Sequence, residues 1–162
     1  MSISTRVPRL ILLTLALLIS ATGLAFADVL TFTANLSGAN EVPGNLSPAT
    51  GVATMILDTG GSLMVPVHLE FSGLTGDQVG VHIHTAPVGQ NGGVRFPLPM
   101  GSPMDTSVLF DVADIANLAG ELFYINVHST VFAGGEIRGQ FLLSNAVSDD
   151  PSNWGAVKAL FR

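Results

Sequence analysis

Histidines in two short segments of the sequence have the spacing of metal ligands. His82 and His84 are separated by one residue, and His128 ends a second segment of alternating apolar residues at 124–128. Residues two apart on a β-strand share one face and lie about 7 Å apart, so their imidazoles can converge on one ion. A neighbouring strand would supply the third imidazole. The pattern therefore predicts a metal site with His82, His84 and His128 as ligands.

The fourth histidine, His68, lies on the polar face of a predicted strand at 63–71. If the turn at 73–77 joins that strand to the next one in a hairpin, His68 faces His82 with Cβ atoms about 5 Å apart. His68 is therefore a candidate fourth ligand. In the competing interpretation, the four histidines are polar residues on the outer face of a sheet that hydrogen-bond to loop backbone.

The types of residue present limit which ions and partners suit the chain. It contains no cysteine, so disulfides and thiolate ligands are excluded, and a metal site must use His, Asp or Glu. Such ligands suit copper(II), zinc, manganese or calcium. Twelve acidic and 6 basic residues give a net charge of -6, with no cluster of Lys or Arg. We therefore expect no nucleic-acid partner.

Most of the chain alternates apolar and polar residues, which is the pattern of half-buried β-strands. Strands are predicted at 29–36, 51–57, 63–71, 79–84, 106–112, 121–128 and 135–143, with a short helical turn at 114–119. The Gly- and Pro-rich segment 85–103 is predicted to be an irregular loop. Short strands at regular spacing predict an all-β fold, an antiparallel Greek-key sandwich or flattened barrel.

The start of the sequence has the features of a secretory signal peptide. Arg6 and Arg9 precede an apolar run at 10–19, and Ala25-Phe26-Ala27 offers small residues at the two positions that a signal peptidase recognises. We expect cleavage after Ala27 and a secreted or periplasmic protein. The apolar run falls short of the ~20 residues that span a bilayer, so no membrane span is expected in the mature chain.

Cleavage would leave a β domain at 28–145, followed by a linker and short amphipathic tail at 146–162. The tail has apolar side chains at helical spacing: Trp154, Val157, Leu160 and Phe161. It is expected either to dock on the domain or on a protein partner, or to be a frayed terminus.

Three polar residues near the histidines have two interpretations. Glu136 and Arg138 lie two apart on one predicted strand face, which predicts an ion pair or a cross-strand network. Alternatively, either residue orients a ligand histidine through its second ring nitrogen, a role that Asn126 could also fill.

Several segments resemble the chordin (CHRD) domain family. They are Leu36-Ser37-Gly38-Ala39-Asn40-Glu41-Val42-Pro43, Gly51-Val52-Ala53, Val81-His82-Ile83-His84-Thr85-Ala86-Pro87, Gly89-Gln90-Asn91-Gly92, Tyr124-Ile125-Asn126-Val127-His128-Ser129 and Gly134-Gly135-Glu136-Ile137-Arg138-Gly139-Gln140. The resemblance covers about residues 29–143. It implies an extracellular β domain of the kind found in chordin-type developmental regulators and in stand-alone secreted microbial proteins. It implies no particular reaction.

The segment 71–84 is also similar to the copper-binding His-x-His strand of copper/zinc superoxide dismutases, a weaker likeness. It implies a superoxide-dismutase-like fold, with His82, His84 and His128 as copper ligands on the outer wall of a barrel. The chain departs from those enzymes in three ways. It has no histidine in 85–103, where they place the one that bridges copper to zinc, and no cysteine pair. Glu136 stands near the position of their substrate-guiding arginine, where it would repel an anion.

The leading hypothesis is a secreted CHRD-domain protein that binds a single transition metal through a three-histidine cluster, with copper favoured and zinc as the alternative. A metal-free extracellular adhesion or matrix module that binds protein partners is the second hypothesis. A superoxide-dismutase-like redox enzyme is the third, and the sequence leaves open whether the protein is an enzyme.

Overall fold

Nine β-strands and one α-helix make up the computed structural model, which describes residues 28–148. The strands are β1 (Asp28–Ser37), β2 (Thr50–Asp58), β3 (Met64–Ser72), β4 (Gln78–Thr85), β5 (Gly93–Pro97), β6 (Met104–Leu109), β7 (Phe123–Ser129), β8 (Ile137–Gln140) and β9 (Leu142–Ser148). The helix α1 (Val112–Ala119) begins at a capping box formed by Asp111 and Asp114. The predicted signal peptide and the residues from 149 onward lie outside the described residues. Within 28–148 there is no helix long and apolar enough to cross a membrane.

The strands form one antiparallel sheet in the order β5-β4-β7-β8-β1-β2-β3-β6, with β9 also paired to β1. The link between β8 and β1 is a single pair, Ser37 with Arg138. The sheet curls around one hydrophobic core into a nearly closed, flattened barrel. The predicted all-β antiparallel fold is confirmed.

The two halves of the barrel wall differ in what covers their outer face. Alternate residues of every long strand point into the core, among them Phe32, Met55 and Ile125. On β2 and β3 the residues that point outward are mostly exposed. On β7, six of the seven residues are buried, because loops lie over its outer side as well. The polar residues of β7 therefore lie in a second, polar layer between the sheet and these loops.

One loop prediction and one strand prediction are wrong in detail. The segment 85–103 is not wholly irregular, since it contains β5, which pairs with the end of β4. Glycine and proline at its ends conceal the short strand in the sequence. The single strand predicted at 135–143 is two, β8 and β9, on either side of Phe141. Strand β9 continues to Ser148, within the stretch assigned to the linker.

The hairpin that would have placed His68 opposite His82 does not form. Strand β3 pairs with β2 on one side and β6 on the other, so both of its edges are occupied. The chain instead crosses at 73–77 to the other half of the sheet, where β4 pairs with β5 and β7. His68 faces Asp105 on β6, with its Nδ1 2.8 Å from a carboxylate oxygen. The predicted register was wrong because a tight turn does not require its flanking strands to pair.

Glu136 ties three loops to the end of the barrel and is fully buried. Its Oε1 accepts hydrogen bonds from the hydroxyl of Ser47 at 2.6 Å and from the backbone N–H of Thr75 at 2.7 Å. Burial alone would raise the pKa of this carboxyl. Hydrogen bonds from Ser129, Ser47 and Thr75 outweigh that effect and hold the pKa below its ordinary value. Glu136 is therefore a structural anion, and its carboxylate is not paired with Arg138.

Replacing Glu136 with Gln should lower the free energy of unfolding by about 2 kcal/mol, because a neutral amide oxygen accepts the buried hydrogen bonds from Ser47 and Thr75 less strongly than a carboxylate does. Since the folded-state pKa of Glu136 is depressed, its contribution is present above the ordinary value of 4.5 and is lost as the pH falls through the folded-state pKa. Urea unfolding from pH 7 to pH 3 would measure both effects. The matched control is Glu70→Gln on the exposed face of β3, which should change stability by less than about 0.5 kcal/mol. Equal losses in the two variants would contradict the assignment.

Candidate metal centre

The register between β4 and β7 brings the three histidines together on the outer face of the sheet. His84 is paired with Tyr124, His82 with Asn126, and Gly80 with His128. One ring nitrogen from each of His82, His84 and His128 lies within 4.8 Å of the others. The convergence expected from the His-x-His spacing and the third histidine is therefore observed. Val81, Ile83 and Val127, which alternate with them, are buried in the core and fix which way the histidines point.

Gly80 makes room for the His82 ring. It lies across from His128, two residues before His82. A Cβ atom at this position would lie 3.2 Å from Cε1 of His82 and 3.7 Å from Cδ2 of His128. A Cβ atom would therefore crowd the His82 ring, whereas its distance to the His128 ring is an ordinary van der Waals contact.

His84 is held in one orientation with one ring nitrogen left unused. Its Nδ1 lies 3.0 Å from the carbonyl oxygen of Gly92. A carbonyl oxygen only accepts, so Nδ1 carries the proton and Nε2 keeps a free lone pair. His84 is 9% exposed, and its buried Nε2 has no hydrogen-bond partner within residues 28–148. A buried nitrogen lone pair without a donor is a favourable position for a cation.

An aromatic stack fixes the plane of the His84 ring. Tyr124 lies parallel to it, with ring centroids 4.8 Å apart and an angle of 7° between the planes. The Tyr124 hydroxyl oxygen accepts a hydrogen bond from the backbone N–H of Gly92 at 3.1 Å. The guanidinium carbon of Arg138 lies 3.4 Å from the centroid of the Tyr124 ring. Gly92 thus holds both His84 and its stacking partner.

His128 is oriented in the same way as His84, and His82 bridges to it. Nδ1 of His128 lies 3.0 Å from the carbonyl oxygen of Ala133, so its Nε2 is free to accept. Nδ1 of His82 lies 3.1 Å from that Nε2. The two nitrogens share one proton position, and a metal ion bound between them would take its place.

The dimensions of the cluster fit a transition-metal ion. Three atoms no more than 4.8 Å apart have a common point within about 2.8 Å of each, and zinc–imidazole bonds are ~2.0–2.1 Å long. Each ring therefore needs to move inward by less than about 1 Å. The backbone carbonyls on the far nitrogens of His84 and His128 are the usual supports of metal-binding histidines.

Burial sets the charge state of the cluster without an ion. Desolvation, and then the nearby His128, lower the pKa of His82 below 6.5. Desolvation is also the main reason that the pKa of His84 is lowered. The hydrogen bond to Gly92 offsets part of this effect, while the charges of His82, His128 and Arg138 add to it. Neutral imidazoles are the form that binds metals, so these two histidines are ready to bind at neutral pH.

The other sequence-based candidates have different surroundings. His68 is not part of the group and is hydrogen-bonded to Asp105. Asn126 donates to a carboxylate oxygen of Glu41 at 3.3 Å rather than to a histidine. Arg138 donates to the carbonyl oxygen of Gln90 at 2.8 Å, and its guanidinium lies over the Tyr124 ring rather than bonding to a histidine. The ion pair predicted between Glu136 and Arg138 is not among the ion pairs of residues 28–148.

Sequence analysis missed Glu41, a buried carboxyl that accepts a hydrogen bond from Asn126, the residue paired with His82. Burial raises the pKa of Glu41 to about 7, although Arg138 and a hydrogen bond from Asn126 lower it in part. Together with Arg138 it lines a cavity of about 460 Å³ between the loops at 39–42 and 88–89. No local pattern marks Glu41 because the loop that carries it is remote in sequence from β7.

Comparison with protein families shows that residues 32–141 match the CHRD domain. The chain belongs to the CHRD domain family. The match includes β4 and β7, so the histidine cluster lies within the CHRD domain itself. The resemblance drawn from the sequence motifs is therefore confirmed. Neither a search of curated proteins nor a search of solved structures returned a significant match.

Titration of this CHRD domain without metal should give midpoints below 6.5 for His82 and His84, because burial disfavours their charged forms. The unfolded chain takes up these protons first, so the free energy of unfolding should fall as the pH drops below about 6.5. NMR of the imidazole Cε1–H signals measures each midpoint. In the variant His128→Asn the midpoint of His82 should rise, because the electrostatic effect by which His128 lowers the pKa of His82 is removed. Midpoints at or above 6.5 for both residues would contradict the described burial.

Proposed function

We propose that this CHRD domain binds a single transition-metal ion through His82, His84 and His128, for sequestration, delivery or modest redox work. Copper is favoured, with zinc as the alternative. The observation that carries the proposal is the buried Nε2 of His84, which has no hydrogen-bond partner among residues 28–148. His84 belongs to a group in which one ring nitrogen from each histidine lies within 4.8 Å of the others. Two of the three rings are already oriented by backbone carbonyls.

The chemistry of the donor set supports copper or zinc over the harder cations. Three neutral imidazoles suit both metals, and the affinity of nitrogen sites rises to a maximum at copper(II). Calcium and magnesium prefer oxygen ligands, and the group contains none. The bound ion would supply a Lewis-acid or redox centre. Residues 28–148 carry ten of the 12 acidic and two of the 6 basic residues. The resulting negative charge attracts cations to the domain.

We further propose that the protein is secreted or periplasmic, with residues 1–27 removed as a signal peptide. Strand β1 begins at Asp28, so cleavage after Ala27 would leave the whole described barrel intact. Membership of a family of extracellular domains supports the same location. The chain has no cysteine, so the barrel is stabilised by its continuous hydrophobic core without a disulfide.

Replacing any one of His82, His84 and His128 with Asn should weaken copper(II) binding by at least about 100-fold, since each supplies one of only three ligands. Isothermal titration calorimetry of the apoprotein gives the affinity, and electron paramagnetic resonance shows nitrogen coupling at the bound ion. The matched control is His68→Asn, which removes a histidine outside the cluster and should leave the affinity unchanged.

If the variant with all three histidines replaced by Asn bound copper(II) with wild-type affinity, the proposal would be overturned. The second candidate, a metal-free extracellular module that binds protein partners, would then remain. The exposed outer face of β2 and β3 is the observation that favours it. Superoxide turnover that rises in proportion to bound copper is the result required for the third candidate, a redox enzyme.

A further inference from the structure

The outer face of β1, β2, β3 and β6 has an apolar patch at one end. Its members are Val29, Ile56, Met64 and Leu109, hereafter the open-face patch, and they are 39% to 65% exposed. The sheet register places them at the same end of the barrel: Val29 is paired with Asp58, two residues beyond Ile56, and Met64 is paired with Leu109. No loop of residues 28–148 covers this face as loops cover β7. Asp58, which is paired with Val29, is exposed in the same row, so this surface combines four apolar side chains with one carboxylate. Exposed clusters of apolar side chains often mark interaction sites.

The chain leaves the barrel at the same end. Strand β9 runs antiparallel to β1, and its last residue, Ser148, is paired with Asp28 at the start of β1. Three strand spacings separate β9 from β3, about 14 Å, and the five residues at 149–153 extend to about 17 Å. Residues from Trp154 onward can therefore reach the open-face patch without any change in the barrel.

The composition of residues 154–162 complements the patch. Trp154, Val157, Leu160 and Phe161 have the spacing of one apolar helix face. This stretch has two basic residues, Lys158 and Arg162, and no acidic one. The barrel has an excess of acidic residues, and its own two cations are engaged: Arg95 is paired with Asp111 and Asp114, and Arg138 is 2% exposed. The charges thus favour association of this stretch with the barrel.

We propose that residues 154–162 dock as an amphipathic helix on the open-face patch of their own barrel. The apolar side chains of the segment would bury Ile56, Met64 and Leu109, and its two cations would face the acidic barrel surface. Because the patch and the histidine cluster lie on different halves of the barrel, this association does not depend on metal binding.

Trp154 is the only tryptophan in the chain, so its fluorescence reports on this segment alone. In protein expressed from the full chain, we expect a blue-shifted emission maximum and protection from acrylamide at all protein concentrations. Ile56→Asp should shift the emission to the red and remove the protection. The matched control is Val52→Asp, four residues earlier on the same face of β2, where the wild-type residue is 45% exposed and Ile56 is 42% exposed. It should leave the emission unchanged.

Three results would overturn the proposal. Trp154 emission typical of water in the wild type would show that the segment is undocked. A blue shift that disappears on dilution would assign the patch to a second copy of the chain. A blue shift that appears only with vesicles containing anionic phosphatidylglycerol would assign the segment to a membrane surface. Circular dichroism of each variant checks that the barrel is folded, and Leu109→Asp is a second patch variant if Ile56→Asp fails to fold.

Discussion

Burial of β7 on both faces is the constraint on which the rest of the structure depends. Its inward residues, such as Ile125 and Val127, belong to the core. Its outward residues, Tyr124, Asn126 and His128, lie beneath loops and still need partners for their polar atoms. Gly92, Glu41 and Ala133 supply those partners from three different loops. The result is a polar layer that is held together by hydrogen bonds and carries the three histidines.

Some ring nitrogens in this layer have hydrogen-bond partners and one does not, and this difference has chemical consequences. The Nδ1 atoms of His84 and His128 are hydrogen-bonded to carbonyl oxygens, which sets their tautomers and leaves a lone pair on each Nε2. Nε2 of His84 has no hydrogen-bond partner in the described part of the chain. A buried polar atom without a hydrogen bond usually destabilises the folded state by about 1–3 kcal/mol. A cation bound to Nε2 of His84 would remove this penalty. This balance is the physical basis of the proposed metal centre.

In the other half of the barrel, no such loops cover the outer face of the sheet in the described residues. Strands β2 and β3 leave their outer faces in solvent, and the face combines acidic residues with apolar ones at one end. One fold therefore presents two surfaces of different character. One is covered by loops and lined with nitrogen donors, and the other is open and partly apolar. A site for an ion and a surface for a helix can coexist because the core separates them.

The sequence by itself determined the all-β fold, the positions of most strands, the CHRD family and the shared face of His82 and His84, because alternation of apolar and polar residues fixes which side chains face the core. It also indicated His128, whose segment alternates in the same way. Tertiary structure alone decided that β3 pairs with β6 rather than with β4, which separates His68 from the other histidines. It also decided that Gly92 and Tyr124 contact His84 and that Glu41 contacts Asn126. Strand pairing and loop placement depend on contacts between residues far apart in the chain, and no local pattern encodes those contacts.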